Sequence, residues 1–71
     1  MLTKEDLTKR FTYHAPKAGQ PEKYKEIRDE ALTLASVMNI LCPESRELSL
    51  ALTKIEEAVM WANAGIARHG E

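Results

Sequence analysis

The stretch "PEKYKEIRDEALTLASVMNILCPES", Pro21 to Ser45, decides the fold. Tyr24, Ile27, Ala31, Leu34, Met38 and Leu41 step by 3, 4, 3, 4 and 3, which is the heptad seam of a helix. Pro21 suits the first turn of that helix, where its missing N–H would have no intrahelical partner anyway. "CPES" then breaks the pattern, with Pro43 as the stop and Ser45 as the next N-cap. A second seam follows: Leu48, Leu52, Ile55, Val59, Ala62 and Ile66, stepping by 4, 3, 4, 3 and 4. Gly70 lies just past it, where a left-handed C-terminal cap is expected. Two seams of similar length joined by a short turn predict an antiparallel helical hairpin.

Upstream, Thr3 is placed to cap a short helix, with Asp6 in its first turn. Leu2, Leu7 and Phe11 give that helix few apolar contacts, and "YHAPKAGQP" (13–21) ends it. The expected architecture is all-α, one domain over residues 1–71, with helices at about 3–10, 21–41 and 44–68. Apolar residues exceed what one hairpin can bury: Leu32, Val37 and Ile40 lie off the first seam, and Leu50, Met60 and Trp61 off the second. The surplus predicts assembly into a compact homo-oligomer, since soluble proteins seldom expose large apolar patches. Small residues in "ANAGIA" (62–67) would let another backbone come close.

Composition narrows the function. At 71 residues the chain is a small domain, and such folds usually need a disulfide, a metal or a partner chain. Cys42 is the single cysteine, so no intrachain disulfide forms, and it is expected as a buried, inert thiol. Cys42, His14 and His69 lack the close paired spacing of a zinc site, and no cofactor is expected. No run approaches the ~18 apolar residues of a membrane span, and no signal-peptide core is visible, which predicts a soluble intracellular protein. The net charge of −1 hides an asymmetry: residues 1–28 hold seven bases against four acids, residues 29–71 three against seven. That pattern lacks the broad basic face of a duplex nucleic-acid binder but leaves room for a local anion site.

No enzyme is expected. Cys42 and His14 lie at opposite ends of a helix roughly 30 Å long, out of reach of each other within one chain. Glu56 and Glu57 diverge around their helix as a solvated face. Anion binding is better served. Lys25 and Arg28, three apart, share a helix face near an N-terminus that favours negative charge. Arginine can grip a phosphate with two parallel bonds, and lysine supplies a point charge. Tyr13 offers a ring for stacking on a base. Each residue also has a plain structural reading: Lys25 as surface, Arg28 as an ion-pair partner, Tyr13 at a core edge, His14 as a hydrogen-bonded histidine. Trp61 is expected chiefly as a packing residue between helices, with a stacking surface beside Asn63 as the alternative.

"YHAP" (Tyr13–Pro16), "YKEIRDEA" (Tyr24–Ala31) and "AVMWANAGIAR" (Ala58–Arg68) together resemble the phage anti-CBASS cyclic-oligonucleotide sponges, whose helical hairpin is shared more distantly with the anti-Thoeris sponges. The resemblance runs from about Phe11 to Arg68. It implies a homohexamer in the cytoplasm of the infected bacterium that captures cyclic di- and trinucleotide alarm signals, such as cGAMP, without degrading them. It implies a dinucleotide site between protomers, built from the Tyr-His-x-Pro motif (Tyr13, His14, Pro16) and a basic residue early in the next helix, Lys25 or Arg28. It further implies a separate trinucleotide pocket along the C-terminal helix, with Asn63, Gly65 and Arg68 as candidates. The competing reading is a helical module that docks on a host protein through its surplus apolar stripe.

Overall fold

The computed structural model describes residues 1–70, which form three helices: α1 (Lys4–Phe11), α2 (Gln20–Leu41) and α3 (Arg46–His69). Among these residues there is no strand. Helices α2 and α3 pack on each other as the hairpin, and α1 hangs from the N-terminal end of α2 on an eight-residue connection, 12–19.

Local chemistry sets each helix end. The Thr3 hydroxyl accepts from the Asp6 N–H at 3.0 Å, and the Asp6 carboxylate accepts from the Thr3 N–H at 3.1 Å and the Thr3 hydroxyl at 2.9 Å. This reciprocal box satisfies donors that a helix start leaves open. The same bonds, the hydroxyl's first, hold the Asp6 carboxyl below its usual pKa of 3.8. Even so, α1 buries no residue.

The turn into α2 runs through Lys17–Gln20, closed by the Gln20 N–H donating to the Lys17 carbonyl at 3.0 Å. Gly19 is its third residue, with φ 84° and ψ −15°, the left-handed geometry a type II turn needs there. At the hairpin bend the Cys42 N–H closes α2 on the Met38 carbonyl at 2.9 Å, and the Ser45 hydroxyl caps α3 by accepting from the Leu48 N–H at 3.2 Å.

The seams themselves slip. Facing inward on α2 are Gln20, Tyr24, Ile27, Ala31, Ala35 and Met38, followed by Cys42 at its C-cap, so Ala35 and Cys42 stand where Leu34 and Leu41 were expected. On α3 the inward row is Leu48, Leu52, Ile55, Val59, Asn63 and Ile66, and Asn63 displaces Ala62. Both rows break from strict alternation by inserting a second step of four. A heptad row advances every 3.5 residues, whereas a straight helix turns every 3.6, so an unsupercoiled helix drifts off such a row after about two turns.

Four other expectations change. Gly70 adopts φ −72° and ψ 151°, an extended conformation, so the left-handed cap does not form. Glycine is needed there for room: a Cβ would lie 2.3 Å from the Ile66 carbonyl oxygen and 2.9 Å from the Gln20 Nε2. Trp61 is 65% exposed and does not wedge between α2 and α3; its indole N–H points to the Glu57 carboxylate, 3.5 Å away on its own helix. Cys42 is half-buried rather than sealed, because it sits in the bend and not under it. Tyr13 is no core edge: it is 83% exposed.

The core is thin. Leu48, 8% exposed, is the one buried apolar side chain among the described residues, and Gln20, 1% exposed, is the one buried polar residue. The Cα framework measures 46 × 32 × 13 Å, a plate about one helix thick. Leu32, Ile40, Leu41, Met60 and Trp61 all stand exposed on its surfaces.

Candidate functional site

Arg28 is exposed on α2. It projects from the outer flank of α2, one residue past inward-facing Ile27, and borders two adjoining hollows. The first, about 500 Å³, is apolar, floored by Ala31, Ala35, Leu52, Ile55 and Val59 and rimmed by Leu32, Met60 and Glu56. The second, about 420 Å³, lies toward the ends of the hairpin and is formed by Tyr24, Arg28, Asn63, Ala64 and Ala67. Two alanines on α3 keep its floor low, so the Tyr24 ring, the Arg28 guanidinium and the Asn63 amide border one space.

The polar groups there are unspent. Arg28 has no ion pair among the described residues. The Asn63 Oδ1 is buried and accepts no hydrogen bond. An acceptor withdrawn from water without a donor costs roughly 1–3 kcal/mol, so the hollow favours a guest that brings an N–H. Lys25 differs from Arg28: its ammonium is paired with the Asp29 carboxylate one helical turn on. Both partners are more than half exposed, so the pair is weak, but it places an acid beside any phosphate that Lys25 would hold.

The Tyr-His-x-Pro segment lies in the α1–α2 connection. The Tyr13 ring projects into solvent, and the His14 Nε2 donates to the Lys9 carbonyl at 2.8 Å, which tethers the segment to the end of α1. That contact agrees with the structural reading of His14. Pro16 is exposed. Tyr13, His14, Pro16 and Lys25 border neither of the two hollows beside Arg28.

The two residue sets anticipated for separate pockets thus overlap within one chain, because Arg28 of the first set and Asn63 of the second border the same hollow. Gly65 faces outward, and a Cβ added there meets nothing within 4 Å, so packing inside this chain does not require glycine. Arg68 is half-buried in the last turn of α3. Sequence reasoning overlooked Tyr24 as a wall of the site, having assigned it wholly to the seam. It also overlooked Gln20, although Gln20, Tyr24 and Ile27 are spaced as one helix stripe.

No group of histidine, cysteine and carboxylate side chains able to hold a metal occurs among the described residues. Nor is any helix among them long and apolar enough to cross a membrane.

The family model described as the Acb2/Tad1 hairpin domain matches residues 3–67, from the Thr3 cap to the last turn of α3. The chain belongs to that family. Acb2/Tad1 hairpins are the anti-CBASS and anti-Thoeris sponges, proteins that bind their ligands rather than cleave them. No curated protein and no solved structure matches the chain. The Acb2/Tad1 match covers both seams, the Tyr-His-x-Pro segment and all three polar groups around the Arg28 hollow.

Proposed function

We propose that this chain sequesters cyclic di- and trinucleotide second messengers, cGAMP among them, and so blocks CBASS signalling in the cytoplasm of an infected bacterium without degrading the signal. Membership of the sponge family carries the reading, and two groups bordering one hollow support it chemically: Arg28, without an ion pair among the described residues, and the Asn63 Oδ1, which accepts no hydrogen bond. A cyclic dinucleotide presents two phosphates and two bases in near two-fold symmetry. A homo-oligomer, in our reading a hexamer, meets each half with the same residues across a two-fold boundary. Tyr13 stacks on a base, Arg28 holds a phosphate, and His14 and Pro16 shape the segment that carries Tyr13. Lys25 contributes long-range attraction. A cyclic trinucleotide is assigned to Asn63, Gly65 and Arg68 on α3. Capture needs no nucleophile or general base, only desolvated and preorganised contacts.

The test is direct. Purified protein is melted with and without cGAMP or a cyclic trinucleotide, and the ligand released by heat is weighed by mass spectrometry. Ligand at about 100 times its Kd stabilises the folded state by ~2.7 kcal/mol, an easily measured rise in melting temperature. A rise with recovery of intact ligand is expected. No rise with any cyclic nucleotide would refute the sponge, and a changed mass would make the protein an enzyme. The exposed Leu32, Ile40, Met60 and Trp61 favour one other reading, a helical module that docks on a host protein. That reading requires no response to any cyclic nucleotide.

A further inference from the structure

We infer that Gln20 is a positioning residue: its buried amide clamps the Tyr13-bearing connection to the C-terminal end of α3. The clamp rests on geometry alone, and its bearing on nucleotide capture rests on the sponge reading.

In a plate with almost no interior, the most deeply buried side chain is a glutamine, 1% exposed. Both ends of its amide are used. Oε1 accepts from the Lys17 N–H at 2.9 Å, and Nε2 donates to the Ile66 carbonyl at 3.2 Å. The Gln20 main-chain N–H returns to the Lys17 carbonyl at 3.0 Å. Lys17 adds a second tie, its ammonium donating to the Gly70 carbonyl at 3.3 Å. The chain at Gly70 lies flush over the amide, near enough that a Cβ would stand 2.9 Å from the Gln20 Nε2. A hydrogen bond covered in this way is not readily exchanged for one to water.

An apolar side chain at position 20 would fill the seam as well but would fix no direction. The amide does so by joining the two ends of the hairpin that the packing row leaves open. Among the hydrogen bonds of the described residues, those of Gln20 and Lys17 alone tie the α1–α2 connection to α3. His14 ties the other end of the connection to α1, which itself buries nothing. The orientation of Tyr13 relative to α3 is therefore set at Gln20. Gln20 touches no proposed ligand group itself; it acts through the loop.

Two variants of the full chain test this. Gln20→Leu keeps the volume and removes both side-chain bonds. Exchange of the Lys17 amide, the one amide of residues 12–19 seen to donate a hydrogen bond, should quicken about tenfold or more, the change one lost buried bond produces, while 24–41 and 48–66 keep their protection. Unchanged exchange at Lys17 overturns the clamp. Gln20→Glu retains the acceptor for Lys17 but, ionised, has no donor for Ile66. Protonation restores that donor; burial raises the pKa at which it occurs, and the Lys17 N–H and the Lys17 ammonium at Gly70 oppose that rise. The Gly70 amide, which shares the Ile66 carbonyl with that donor, should therefore show a chemical shift that converges on wild type as pH falls from about 7 to 4, which a simple packing defect would not do; a shift difference that stays constant overturns the donor role. Where wild type binds cGAMP, Gln20→Leu should weaken binding about tenfold with unchanged particle size, and equal affinity overturns the positioning role. A wild type that binds no cyclic nucleotide removes the sponge reading, and hydrogen exchange alone then decides the clamp.

Discussion

Lys25 and Arg28 share a helix face, yet removing them should have unequal effects on dinucleotide capture. Arg28 has no ion pair among the described residues and borders a hollow, so no such pair offsets the energy of holding a phosphate. A hydrogen bond to a charged group contributes about 1.5–3 kcal/mol, and Arg28→Ala should weaken cGAMP binding about 12- to 140-fold. Lys25 would first have to leave Asp29, giving up about 0.3–0.5 kcal/mol for an exposed pair on a helix. The freed carboxylate would then lie about 5 Å from the phosphate, a repulsion of roughly 0.8 kcal/mol in water. A point contact near 1.5 kcal/mol is reduced to a few tenths by those two costs, so Lys25→Ala should change affinity by less than about threefold. Isothermal titration of cGAMP into each variant, at fixed salt and with particle size checked, measures both. Asp29→Asn in the Arg28→Ala background should recover part of the loss by releasing Lys25. A larger loss from Lys25→Ala than from Arg28→Ala would refute the reasoning and move the phosphate to the lysine.

Three further outcomes are expected. Leu48→Ala removes the one buried apolar side chain among the described residues and should cost about 2–3 kcal/mol, lowering the melting temperature by roughly 8 °C or more on a calorimetric scan. Gly19→Ala meets no atom within 4 Å, so its cost is backbone strain at φ 84°, about 1–2 kcal/mol by denaturant titration, and Gly19→Asn should recover much of it. Because Thr3 holds the Asp6 carboxyl below its ordinary value, the α1 cap is complete above pH 3.8 and is lost as pH falls through the lower folded value. The Thr3 amide resonance should report that loss during acid titration, and Thr3→Val should return the Asp6 titration toward its usual range.

How much could be read beforehand varies from residue to residue. The Thr3 and Ser45 caps were legible because a short polar side chain beside an apolar-periodic run has few other uses. The helical hairpin was legible from repetition, since one inward residue per turn survives small errors of phase. Phase itself was not: choosing Leu34 over Ala35, or Ala62 over Asn63, follows the larger or more apolar residue, whereas the drift of an unsupercoiled helix brings its neighbour inward. Gln20 escaped notice because a polar residue is not counted when an apolar stripe is traced, and nothing local shows the carbonyl of Ile66 waiting 46 positions away. Gly70 was recognised as special for the wrong reason, because close approach and positive φ leave the same mark on a sequence. The distinction between Lys25 and Arg28 was present in the letters, as Asp29 falls four residues after the lysine, but side-chain coordinates were needed to give it weight.

The plate's 13 Å depth has a last consequence. Ala31 and Ala35 belong to the row that joins α2 to α3 and also floor the outer hollow, so a single methyl group serves both surfaces. Enlarging either alanine to reshape the hollow would wedge the two helices apart, and trimming Ile55 to loosen the hairpin would deepen it. Stability and the shape of the hollow cannot be tuned separately along the midline of this molecule, nor at Asn63, which also belongs to both surfaces; independent variation is confined to residues outside the packing rows, such as the loop before α2.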